Sequence, residues 1–119
     1  MEWKLTDDRP IWLQLTEQMT RRIITGVYPP GSRLPSVREL AAEAGVNPNT
    51  MQRALAQLEQ DGLAKADRTA GRMVTQDTAV LEDVRRAQAR VVMDQYFNAM
   101  AELGYSPAEA AELLKEEKE

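Results

Sequence analysis

The sequence predicts a mainly α fold with a small β-hairpin wing, followed by a C-terminal helical hairpin. Three observations predict it. Two helical patterns are separated only by Gly45-Val46-Asn47. A glycine-bearing stretch of hairpin length follows them, and after residue 77 comes a long helical pattern with a further capping signal beyond its end.

Pro10 suits the first position of a helix, where its missing N–H costs nothing. Trp12, Leu15, Met19 and Ile23 then recur at spacings of three and four, which marks one apolar helix face. Gly26 ends this helix, and Pro29-Pro30-Gly31 marks a turn. Ser36-Val37-Arg38-Glu39 reads as a capping box, with Glu39 reaching back to the start of a short helix. Val37, Leu40, Ala41 and Ala44 form its inner face, and Gly45 stops it. Asn47 caps a third helix with Pro48 in its first turn. Met51, Ala54, Leu55 and Leu58 face inward, and Gly62 terminates it.

Two helices on so short a connection form a helix-turn-helix, since a long loop would let the pair splay apart. Residues 63–67 and 71–75, separated by Arg68-Thr69-Ala70, form the hairpin that completes a winged helix-turn-helix. Its first arm, Leu63-Ala64-Lys65-Ala66, is low in β-propensity and is assigned from its flanks. From Thr78 a helical pattern runs to about Leu103, roughly 40 Å at 1.5 Å per residue. Gly104 ends it, and Ser106-Pro107-Ala108-Glu109 caps a last helix to about Lys115. The expected domains are a winged helix-turn-helix at 1–76 and a two-helix segment at 77–119.

At 119 residues, 43% hydrophobic and 29% charged, the chain has the balance of a folded protein. It has no cysteine and no histidine, so disulfides, thiolate chemistry, the commonest general base and the commonest metal ligand are excluded. No carboxylate spacing suggests a metal or hydrolase site, so neither an enzyme nor a cofactor is expected. No stretch approaches the roughly 20 apolar residues that span a bilayer. The N-terminus lacks the apolar centre of a signal peptide, so a cytoplasmic protein without a membrane partner is expected. The net charge is −4, but residues 1–76 hold ten Lys/Arg against nine Asp/Glu while residues 77–119 hold five against ten. Bulk charge therefore argues nothing for nucleic acid; placement must.

The run Pro30-Gly31-Ser32-Arg33-Leu34-Pro35-Ser36-Val37-Arg38-Glu39-Leu40-Ala41 is followed by Gly45-Val46-Asn47-Pro48-Asn49-Thr50 and Leu58-Glu59-Gln60-Asp61-Gly62-Leu63. Together these motifs closely resemble the DNA-binding domain of the GntR family of bacterial regulators, over about residues 10–75. The short two-helix tail resembles the YtrA subfamily. That resemblance implies a homodimeric transcriptional regulator of a transporter-type operon, binding double-stranded operator DNA as a repressor relieved by some signal. A small-molecule effector is thus an implied partner, but no residue identifies it. The rival reading is a winged-helix protein–protein interaction module without DNA binding, which only the acidic balance favours.

The faces of the third helix point the same way. With Met51, Leu55 and Leu58 inward, Asn49, Thr50, Gln52, Arg53 and Gln57 face outward near its N-terminal half, where recognition helices meet the major groove. Asn and Gln can bond adenine bidentately and Arg can bond guanine, while Thr suits a phosphate or a thymine methyl. Ser36 and Asn47, which lead the second and third helices, join this candidate set. The resemblance implies DNA contact by Arg38, with Arg33 as a weaker phosphate contact. Arg68, Gly71 and Arg72 are the wing candidates for the minor groove or its phosphates. The family usually carries glycine where Thr69 stands, an aromatic where Met73 stands and often arginine where Gln52 stands. An atypical wing tip and an altered base preference are therefore expected.

Val80, Val84, Ala87 and Val91 make a narrow stripe on the long helix, which Val92, Met93, Tyr96, Phe97, Met100 and Leu103 widen. Ala108, Ala111 and Leu114 of the last helix can cover only part of it, so a second copy is the economical partner. The expected dimer face is Val84, Val91, Val92, Met93, Tyr96, Phe97, Met100 and Leu103. Two recognition helices about 34 Å apart would read a palindrome. Trp3, Trp12, Tyr28 and Tyr96 fit core or junction packing better than a ligand pocket.

Overall fold

The computed structural model describes residues 2–118. Five helices and one hairpin follow in the order α1 (Ile11–Ile24), α2 (Val37–Ala44), α3 (Pro48–Gln60), β1 (Ala64–Asp67), β2 (Gly71–Val74), α4 (Thr78–Glu102) and α5 (Pro107–Lys118). Pro10 stands just before α1 as its N-cap rather than inside its first turn. The chain divides into two compact units, Met1–Asp83 and Val84–Glu119. This division falls later than 76/77, because the start of α4 packs in the first unit: Val80 Cγ1 lies 3.9 Å from where a Cβ on Gly62 would be.

The first unit is built on the apolar faces of α1, α2 and α3. Leu15, Met19 and Ile23 of α1 and Leu40 and Ala41 of α2 face α3, with its Met51, Ala54, Leu55 and Leu58, all buried, and Leu34, Leu63 and Val74 close the wing side. Full burial of each large aliphatic is worth about 1.5–3 kcal/mol, which makes this cluster the main stabilising element. The capping box forms as expected. Glu39 N–H donates to Ser36 Oγ (3.1 Å), and Ser36 N–H to Glu39 Oε1 (3.3 Å). Gly45 closes α2 in the left-handed region (φ 70°), and Val46 N–H reaches back to the Ala41 carbonyl (3.0 Å). Asn47 Oδ1 then accepts the Asn49 N–H (2.7 Å), so α3 starts at once.

β1 and β2 pair antiparallel from Ala64 opposite Val74 to Asp67 opposite Gly71. The segment before α2 runs along their edge through an isolated bridge. Val74 N–H donates to Ser32 O (2.8 Å), Leu34 N–H donates to Arg72 O (2.9 Å), and Arg33 bridges to Met73. The wing is thereby tied to the start of α2.

One element escaped the helix pattern. Residues 2–6 run extended along α1, with Trp3 and Leu5 half-buried and their neighbours exposed. Gln14 Nε2 donates to the carbonyls of Thr6 (2.9 Å) and Arg9 (2.8 Å) while its Oε1 accepts the Thr6 N–H (2.8 Å). Gln18 likewise takes Lys4 N–H (2.9 Å) and donates to Lys4 O (2.7 Å). One helical turn and two extended residues both span about 6 Å, so two glutamines four apart match two strand residues two apart. At the end of this strap the Arg22 guanidinium, 3% exposed, lies over the Trp3 ring (4.0 Å), with Nη1 donating to Tyr28 Oη (2.8 Å) and Glu43 Oε1 (3.1 Å). Trp3 and Tyr28 are therefore packing residues here.

In the second unit, Ser106 and Glu109 form the expected capping box. Tyr96 Oη donates to the Ala110 carbonyl (2.7 Å), and Tyr96 packs edge-on against Phe97 at 5.3 Å. Ala110 is buried, whereas no residue of α4 is. Among the described residues, no helix is long and apolar enough to cross a membrane.

Candidate nucleic-acid interface

Each expected contact residue can be placed within the first unit. Arg38 projects from the first turn of α2, exposed, and among the described residues nothing pairs with it. Asn49 and Gln52 are exposed on α3, while Thr50 is half-buried. Arg33 is exposed, and its Nε lies 3.6 Å from where a Cβ on Gly71 would be. The start of α2 and the wing share one recess, lined by Arg33, Ser36, Gly71 and Arg72 with Leu34, Pro35, Val37, Ala66 and Asp67. Arg68 is exposed at the wing tip.

Four residues of the expected set also have work inside the protein. The side chains of Ser36 and Asn47 cap α2 and α3, so their oxygens are partly spent on backbone N–H groups. Arg72 Nε pairs with Glu59 of α3 and is half-buried, which fixes β2 against α3. Arg53, although exposed, stacks its guanidinium on Trp12 of α1 with Cζ 4.1 Å from the ring centroid. Trp12 is accordingly half-buried instead of closing the core. Sequence spacing along either helix could not pair Trp12 with Arg53, because they meet only where α1 crosses α3.

The wing tip answers the departure at Thr69. The Asp67 carboxylate accepts the N–H groups of Thr69 (2.8 Å) and Ala70 (3.0 Å) and the Thr69 hydroxyl (2.9 Å). Those bonds, the Thr69 N–H foremost, hold the Asp67 carboxyl below its usual pKa of 3.8. The left-handed conformation of the turn is carried by Gly71 (φ 82°), and among the described residues no non-glycine residue has a positive φ. A three-residue loop closed by a left-handed glycine needs no glycine at Thr69.

The geometry is that of a winged helix-turn-helix with unpaired basic and amide side chains on one helix pair and its wing. A model of the bacterial regulatory proteins of the gntR family matches residues 13–74. The chain belongs to the GntR family. The uncharacterized HTH-type transcriptional regulator YhcF of Bacillus subtilis is 31% identical over 115 residues, 97% of this chain and 95% of that one. The HTH-type transcriptional repressor YtrA of Bacillus subtilis is 38% identical over 68 residues, 57% of this chain and 52% of its own length. Among solved structures, a GntR family transcriptional regulator from Listeria monocytogenes superposes with a TM-score of 0.85 at 32% identity, covering 94% of this chain and 98% of that one. This GntR protein is thus a DNA-binding transcriptional regulator of the YtrA-like kind, and its relatives are regulators rather than enzymes.

In the second unit the expected dimer residues divide in two. Tyr96, Phe97 and Met100 are half-buried, as is Val84, and Tyr96 is engaged with α5. Val91, Val92, Met93 and Leu103 are 50–72% exposed, and Leu114 of α5 is 49% exposed.

Proposed function

We propose that this GntR regulator is a homodimeric repressor that binds a palindromic operator. The reading places α3 in the major groove, Arg38 at its edge and the wing over the neighbouring backbone. The observation that carries it is a set of polar side chains, Arg38, Asn49 and Gln52, that have no partner among the described residues and stand on two helices locked by three caps: their donors and acceptors are open to an external partner. The name of the YtrA relative supports repression, and the subfamily resemblance supports a transporter-type operon and a cytoplasmic setting. The exposed Val91, Val92 and Met93 of α4, with Leu103 just beyond it, support self-association, since clustered solvent-facing apolar side chains favour a covering partner. Occupying the promoter would exclude polymerase without catalysis.

Fluorescence anisotropy with promoter DNA from the protein's own operon, across a salt series, tests this reading. A phosphate-contacting dimer loses affinity steeply as salt rises. Absence of any shift at low salt would sink DNA binding and favour a protein–protein interaction module.

A further inference from the structure

Four arginines of the first unit meet aromatic rings or carboxylates, and they differ in what is left over; Arg9 gives both terminal nitrogens to Glu17. Arg22 lies over Trp3, but it is buried and donates to Tyr28 and Glu43. Arg72 gives its Nε to Glu59. Arg53 lies over Trp12, is exposed, and has no acceptor for its N–H groups among the described residues. A guanidinium stacked by its face keeps its donors, which lie in its own plane, directed outward. Arg53 is therefore ordered and unspent. On an unstacked arginine, ordering the long side chain would be part of the cost of binding; the stack meets it in advance.

The direction of the stack narrows the acceptor. At 100° per residue, Asn49 and Gln52 share the outward arc of α3 with Arg53, with Asn49 between the other two. Trp12 lies on α1, which packs against α3, so the stack draws Arg53 away from Gln52 and toward the α1 flank. A helix seated in a major groove presents its ridge to base edges and its flanks to the phosphates that rim the groove. We propose that Trp12 is a positioning residue for DNA binding, its indole holding Arg53 so that the guanidinium meets a backbone phosphate rather than a base edge. This rests on α3 being the element that enters the groove.

Anisotropy titrations with the own-promoter duplex and an unrelated duplex, each across a salt series, test it. Arg53→Ala is expected to weaken both duplexes by the same factor and to lower the salt slope by about one per protomer bound. Trp12→Leu is expected to weaken both by roughly two- to fivefold per protomer, the size of an exposed cation–π contact, and so by about four- to twenty-fivefold for the dimer. Trp12→Phe restores most of that loss, and Trp12→Leu adds nothing in an Arg53→Ala background. Arg53→Lys, a surface change harmless to the fold, gives the same test if Trp12→Leu does not fold: the salt slope stays and the affinity falls. The proposal is overturned if the Trp12 and Arg53 losses multiply independently, if Arg53→Ala alters the preference between duplexes, or if it leaves both affinities unchanged. A wild-type protein that binds neither duplex at low salt overturns the placement of α3 itself, a result distinct from all of these.

Discussion

Replacing Arg38 with alanine is expected to separate DNA binding from folding. Arg38 is exposed on the first turn of α2 and pairs with nothing among the described residues, so its removal leaves no buried group unsatisfied. A surface change of this kind stays within about 0.5 kcal/mol of wild-type stability, and alanine is at least as good a helix former as arginine. On DNA, losing one arginine contact costs about 1–3 kcal/mol, roughly 5- to 150-fold in affinity. In a homodimer the two copies sit in separate half-sites and their losses add, for about 2–6 kcal/mol in all. Anisotropy on the own-promoter duplex reads the binding loss, and urea unfolding of the same sample reads stability. Arg72→Ala is the contrast, because it strips the ion-pair partner from half-buried Glu59 and is expected to lower stability as well as binding. Wild-type affinity for Arg38→Ala would refute the reasoning, and so would a stability loss as large as that of Arg72→Ala.

Three further outcomes are expected. Gln14→Met keeps the side-chain volume but removes four bonds, three to Thr6 (one of them long, at 3.3 Å) and one to the Arg9 carbonyl; at about 1 kcal/mol for each good bond, and with exposed Thr6 and Arg9 able to turn to water, the loss is about 1–3 kcal/mol. Hydrogen exchange at the Thr6 amide should quicken well beyond that at core amides. Because the Asp67 carboxyl titrates below its unfolded value of 3.8, its hold on the wing tip is fully present above that pH and is lost as pH falls through the lowered folded pKa. An NMR pH titration should show the Thr69 and Ala70 amide shifts moving together with Asp67, below pH 4; a midpoint at or above the ordinary value would contradict the turn. Val92→Glu, at a position 63% exposed, is expected to leave each protomer folded while shifting sedimentation from dimer to monomer. An unchanged dimer would remove this face from the interface.

The helices of the first unit were legible because capping and periodicity are local chemistry. Ser36 with Glu39 and the Asn47 side chain satisfy orphan N–H groups within one turn, Pro48 removes one, and Ser106 with Glu109 repeat the pattern at α5 of the second unit, so residue types at fixed offsets suffice to place a helix start. The wing was harder, since Ala64 and Ala66 carry no β-preference and are held by pairing with Val74 and Arg72. Its tip was read as atypical at Thr69, and the compensation by Asp67 depends on a side chain folding back over its own turn.

What the sequence by itself determined is the order and type of the elements, the inward faces of α1, α2 and α3, and the outward set that includes Arg38, Asn49 and Gln52. Only the tertiary structure decided which of the expected contacts are free. It spends Arg72 on Glu59, stacks Arg53 on Trp12, and ties residues 2–6 to α1 through Gln14 and Gln18. The physical reason is that helix caps and apolar faces repeat at fixed sequence intervals, whereas a guanidinium finds its ring or carboxylate wherever packing brings another element within about 4 Å.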